Sequence, residues 1–167
     1  TLFFEASTIV DSDNALNAFT LSLSSETTSP INVQTNDDLI GLGNNMGYGN
    51  SSGNASSLLW YINDASISGD EAFGSAGTGA LSKDNPFKMA LAYETNNVYG
   101  YADGTKAGGT DTSVTIPTTS GINMMVIGGG NVGRIGPGNA HNGHVRKVSY
   151  YNKRLSTAEL QALTENN

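Results

Sequence analysis

Short apolar runs that alternate one residue in and one residue out, each closed by Gly, Asn, Asp or Ser, recur from one end of this chain to the other. A two-residue period sends successive side chains to opposite faces of an extended backbone, so such runs read as half-buried strands. The alternation predicts strands at 1–9, 17–24, 38–43, 57–63, 87–94, 97–103, 113–117, 123–129 and 144–151. In a chain of 167 residues, long enough to bury one sizeable core, that pattern predicts an all-β fold of two packed sheets.

Local chemistry sharpens the pattern in four places. "FKMALAYE", then Thr95-Asn96, then "NVYGYAD" has the alternation and polar turn of a tight hairpin, with Met89, Leu91 and Tyr93 on one face and Lys88 and Glu94 on the other. Asp103-Gly104 then supplies residues that tolerate positive φ, so the chain reverses again. Val145 and Val148, three apart, would face opposite sides of a regular strand; a β-bulge near Arg146-Lys147 would bring both to the core. Finally, Ser156 and Glu159 make a capping box, and Leu155 and Leu160 stand where a hydrophobic staple requires them. The helix they start has room for only about two turns, too short to persist alone, so it must dock through Leu160 and Leu163.

Stretches 43–57, 69–86 and 128–143 are dense in Gly, Ser and Asn and read as long loops, the places to seek a site. Eight Lys+Arg against fifteen Asp+Glu give a formal charge of −7, which sets aside nucleic acid and anionic membranes as partners. There is no cysteine, hence no disulfide framework or thiolate metal site. No apolar run reaches the length of a membrane span, and no signal-peptide pattern is visible. Residues 1–167 read as a single domain; its start at Thr1, inside the apolar "TLFF", reads as a fragment of a longer chain.

The segment "NGHVRKVSYYNKRLSTAELQALT" resembles the closing segment of concanavalin A-like, laminin-G-like jelly rolls. With its Arg in the strand and "LSTAELQALT" after it, it is especially similar to C-terminal domains of tailed-bacteriophage virion proteins. "TLFFEA", "KMALAYETNNVYGYADG" and "SVTIPTTSGINMMVIGG" follow the same family in order, whereas residues 10–80 match it only loosely. The resemblance implies a two-sheet antiparallel jelly-roll sandwich with a short C-terminal α-helix, in a module that binds rather than cuts. Catalytic jelly rolls carry carboxylates in an E-x-D-x-x-E pattern, and no such spacing occurs here.

The remaining motifs read as ordinary surface. Asp70-Glu71 and Asp37-Asp38 are adjacent and would point to opposite faces of a strand, unlike the facing carboxylates of a glycosidase. His141 and His144 lack a nucleophile context, and a turn at Asn142-Gly143 separates them. Around Asp11 and Asp13, Leu16 replaces the Gly and Ser22 the Glu that a helix–loop–helix calcium site needs. No metal or cofactor is therefore expected, with calcium of a jelly-roll type left as the open alternative. Gly128-Gly129-Gly130-Asn131-Val132-Gly133 matches a dinucleotide fingerprint but lacks the following helix and the acidic partner. "NSS" at Asn50 and "NAS" at Asn54 are sequons of the kind Asn- and Ser-rich loops produce by chance.

Aromatic rings beside Asn-rich loops suit sugars, whose C–H faces stack on rings while their hydroxyls take amide hydrogen bonds. The candidate ligand-binding residues are Asn44, Asn45, Tyr48 and Asn50, with Trp60 and Tyr61, one of which must face outward on alternation, and Tyr99 and Tyr101, which share a face. The expected function is a non-enzymatic carbohydrate- or surface-ligand-binding module of a phage virion protein, such as a tail fibre, displayed extracellularly for host attachment. Its partners would be a glycan or host-surface ligand and other virion proteins. The alternative is an assembly or capsid-decoration domain that binds copies of itself or other proteins and no sugar.

Overall fold

A computed structural model describes residues 1–8, 18–24, 39–44, 58–64, 71–76, 85–117, 122–127 and 143–166. Within them the strands are β1 Leu2–Thr8, β2 Ala18–Ser24, β3 Leu39–Asn44, β4 Leu58–Asn63, β5 Glu71–Ala76, β6 Pro86–Ala92, β7 Val98–Ala102, β8 Thr105–Asp111, β9 Met124–Ile127 and β10 Gly143–Tyr150, followed by helix α1 Thr157–Thr164. They form two five-stranded antiparallel sheets, sheet A in the order β10-β1-β6-β7-β8 and sheet B in the order β5-β4-β3-β2-β9. This is the antiparallel jelly-roll sandwich with a short C-terminal helix that the alternation and the resemblance led us to expect.

Alternation decides which side of sheet A each residue serves. Leu2, Phe4 and Ala6 of β1, Phe87, Met89 and Leu91 of β6, and Val98 and Ala102 of β7 face sheet B and are buried. They meet Ile40, Leu42, Trp60 and Ile62 from the opposing sheet, with the Phe4 and Phe87 rings edge to face at 5.6 Å. The intervening residues Phe3, Ala90, Ala92 and Tyr99 point outward and form a second cluster with Leu155 and Leu160. Small side chains at 90 and 92 let the helix sit close to the sheet. The middle strands of sheet A are thus covered on both faces, which a lone amphipathic sheet would not require.

The helix docks as its sequence demands. The Ser156 hydroxyl accepts from the Glu159 N–H, the Glu159 carboxylate accepts from the Ser156 N–H at 2.7 Å, and Leu155 and Leu160 are buried. Its far end is tied to the β7–β8 turn: the Gly104 N–H donates to the Thr164 hydroxyl, and Lys88 Nζ donates to the Glu165 carbonyl. At that turn Asp103 and Gly104 both adopt positive φ.

The hairpin turn at Thr95-Asn96 is as expected, with Asn96 at φ 58° and the Asn97 N–H donating to the Glu94 carbonyl. The bulge in β10 is also present: Glu5 pairs with Lys147 and Ala6 with Val145, leaving Arg146 as the extra residue. It turns Val145 and Val148 toward the core side together, opposite Ala6 and Phe4. Only Val148 packs there; Val145 stays 37% exposed because β10 is the edge of its sheet.

Two expectations need correction, and one strand had no expectation attached to it. Residues 71–76, read above within a long loop, are strand β5, and residues 105–111, which follow the turn at Asp103-Gly104, are strand β8. Backbone ladders to β4 and β7 hold them, and partner strands override weak strand propensity. Conversely, residues 113–117 carry β-branched side chains but no ladder. They run beside the sandwich, with Val114 buried and its carbonyl accepting from the Asn96 N–H.

Candidate functional site

The ring residues that alternation nominated go mostly into packing. Trp60 and Tyr61 point to opposite sides of β4, yet each is only 1% exposed, so the expectation that one of them faces solvent is corrected. The Trp60 indole spans the sandwich: its Nε1 donates to the Ala107 carbonyl at 2.8 Å, and Gly100 leaves the space for it. A Cβ at Gly100 would lie 2.9 Å from Nε1. Tyr99 is 4% exposed, with its hydroxyl donating to the Leu155 carbonyl at 2.8 Å. Arg154 lies over its ring at 4.4 Å and donates to Asn97. Burial pushes the Tyr99 hydroxyl above the ordinary tyrosine range, against the opposing pull of Arg154. Tyr101 is half-buried against the same helix. These rings are occupied by the fold and offer a sugar little surface.

Asn44 closes β3. Asn45, Tyr48 and Asn50 lie outside the described residues, as do Asp11, Asp13, Asp37, Asp38, Asp70 and His141. His144 is exposed on β10, and Glu71 begins β5. Among the described residues no group of three or more His, Asp or Glu side chains is placed to hold a metal, and no helix is long and apolar enough to cross a membrane.

What the strands do build is a recess between the sheets, at the side where β9 and β10 are the edges. Pairing with Leu23 turns Met125 inward, and pairing with Leu2 turns Tyr150 inward. Both remain largely open to solvent, at 43% and 58%. The recess has a volume of about 380 Å³ and is lined by Leu23, Ile40, Ile116, Ile122 and Met125, with Tyr93 and Tyr150 at its rim. An apolar wall with a few polar groups at one side is the usual make-up of a small-molecule site, and this volume falls within the ordinary range.

The same two tyrosines belong to a second, polar groove of about 190 Å³, which adds Glu94, Asn152, Lys153 and Arg154. Tyr93 is hydrogen-bonded to Tyr150, and burial, reinforced by that neighbour, drives its hydroxyl well above the ordinary tyrosine range. Tyr93 therefore stays neutral and able to donate. Arg154 is held by Asn97 and the Tyr99 ring, whereas Lys153 is 65% exposed and, among the described residues, makes a single 3.4 Å surface pair, with Glu159. Such exposed pairs cost little to break. The groove thus offers an open ring, a neutral hydroxyl, an amide, a carboxylate and a movable cation. These groups suit holding a polyhydroxylated ligand.

Sequence reasoning missed this constellation because it searched the Asn-rich loops. Tyr93 was visible in the hairpin alternation and Tyr150 as the end of the last strand. Nothing local announced that β9 and β10 would be neighbouring edges with their inward side chains uncovered.

No family model matches the chain, and no curated protein matches it. Among solved structures it is similar to the CBM40 of the Ruminococcus gnavus IT-sialidase bound to alpha2,3 sialyllactose, with a TM-score of 0.67 and 17% identity over 98% of this chain and 80% of that one. A second structure of the Ruminococcus gnavus IT-sialidase CBM40 gives a TM-score of 0.66 and 15% identity over 99% of this chain and 82% of that one. At these identities the likeness is one of fold: the chain has a CBM40-like β-sandwich.

Proposed function

We propose that this domain is a non-catalytic carbohydrate-binding module whose ligand carries a sialic acid. The observation that supports this reading is the likeness in fold, over 98% of the chain, to a module solved with alpha2,3 sialyllactose bound. Tyr150 supplies the stacking ring, Glu94 and Asn152 take hydroxyls, and Lys153 meets the sugar carboxylate. The overall charge of −7 does not oppose an anionic ligand, because charges beyond roughly 8 Å are screened at physiological salt and the local cations decide.

Calorimetric titration with alpha2,3 sialyllactose and with lactose tests the reading. Binding of the first and not the second is expected, and Tyr150→Ala should weaken it by about tenfold or more, as loss of a central aromatic contact does. Absence of binding to every sialylated and neutral glycan on a broad array would overturn it.

The biological setting, a phage virion protein displayed extracellularly and attaching to a host, rests on the resemblance of residues 142–164 to virion domains. Immunogold labelling of purified particles tests that setting. Assembly is favoured as a second reading by one observation, the exposure of Ile127 at 52% and Val145 at 37% beside the recess. Light scattering that shows a concentration-independent monomer would remove it.

A further inference from the structure

We propose that the recess between the sheets receives the apolar aglycone of a glycoside whose sugar lies in the adjoining polar groove; this rests on the glycan-binding reading and names the ligand more narrowly. The two hollows adjoin, because Tyr93 and Tyr150 line both. One side of that tyrosine pair is polar, with Glu94, Asn152 and Lys153; the other is walled by Leu23, Ile40, Ile116, Ile122 and Met125. A ligand spanning the pair must itself be polar at one end and apolar at the other.

Size argues against a packing defect. A cavity of roughly 150 Å³ lined by Leu, Ile and Phe stays dry and admits a benzene ring. The recess, at about 380 Å³, is more than twice that, and it shares Tyr93 and the 58% exposed Tyr150 with the groove, so we place the entry of an alkyl chain or ring there. Its aliphatic walls offer water few partners. A free sugar would leave that wall uncovered, whereas an aglycone would cover Met125, which faces inward and is still 43% exposed.

The test compares methyl and hexyl sialosides against the 167-residue chain by calorimetry, below any micelle-forming concentration. The hexyl compound is expected to bind at least about tenfold tighter, since each fully buried methylene multiplies affinity about fourfold and only two need be buried. Ile122→Asn should bring the hexyl-to-methyl ratio toward one. Should that variant fail to fold, a hexyl sialoside spin-labelled at the chain end must broaden the Met125 and Ile116 methyl resonances of the unaltered protein. Equal affinity for the two sialosides, or no broadening at those methyls, overturns the inference and leaves the glycan reading standing. Hexanol binding as tightly as hexyl sialoside also overturns it, because the sugar would then play no part. Binding of neither sialoside defeats the glycan reading itself.

Discussion

Along one side of the sandwich β5 and β8 come together; along the other, β9 and β10 stand as edges with their inward side chains in view. Both sides are written in alternating strands. Near the first, Trp60 bridges the sheets, fills the space left by Gly100 and satisfies its N–H on Ala107. On the second, Met125, Ile127, Val145 and Tyr150 also turn inward by register, yet each is more than a third exposed. The contrast teaches that facing the core and being buried in it are separate properties. The first follows from the strand period and the second from how far apart the sheets stand.

The contrast can be broken hardest on the closed side. Trp60→Ala should cost about 3–5 kcal/mol, measured by urea denaturation, because it removes a fully buried ring and orphans the Ala107 carbonyl. Gly100→Ala attacks the same contact from the other strand and should cost about 1–3 kcal/mol by overpacking. If either change left stability untouched, the two sides would not differ as described.

A smaller effect is expected at the helix that covers sheet A. Ser156→Ala removes the cap and should cost about 1 kcal/mol in the same assay. Acid should act on the same box. The Ser156 backbone N–H, and then its hydroxyl, hold the Glu159 carboxyl below its ordinary range. Its contribution is thus present above that ordinary value and is lost as pH falls through the lowered folded one. Melting temperature should therefore drop over that acidic window, and Glu159→Gln should flatten this part of the profile.

The smallest change belongs to the open side. Ile127→Thr, at a site 52% exposed, should shift stability by no more than about 0.5 kcal/mol. A loss comparable to that of Trp60→Ala would mean that this side is closed as well.

Much of the fold was legible because its signals are short-ranged. Leu2, Phe4 and Ala6 against Phe3 is a two-residue period, and it assigns residues to the two clusters correctly. The tight turn at Asn96, the bulge at Arg146 and the box at Ser156 and Glu159 each depend on neighbours within a few positions. β5 and β8 were missed because the ladders to β4 and β7 that hold them are made by residues far away in the chain or across a turn, and are not written in their own alternation.

The candidate site was legible hardly at all. Tyr99 looked available and is bonded to Leu155, 56 residues on; Tyr150 looked like the end of a strand and forms the rim of a recess. Amino-acid order by itself determined the period, the turns and the cap, since these are set by sterics and hydrogen bonds between near neighbours. Which strands became edges, how widely the sheets parted there, and hence which rings meet solvent, were decided only in the assembled sandwich, because those distances depend on the packing of segments far apart along the chain.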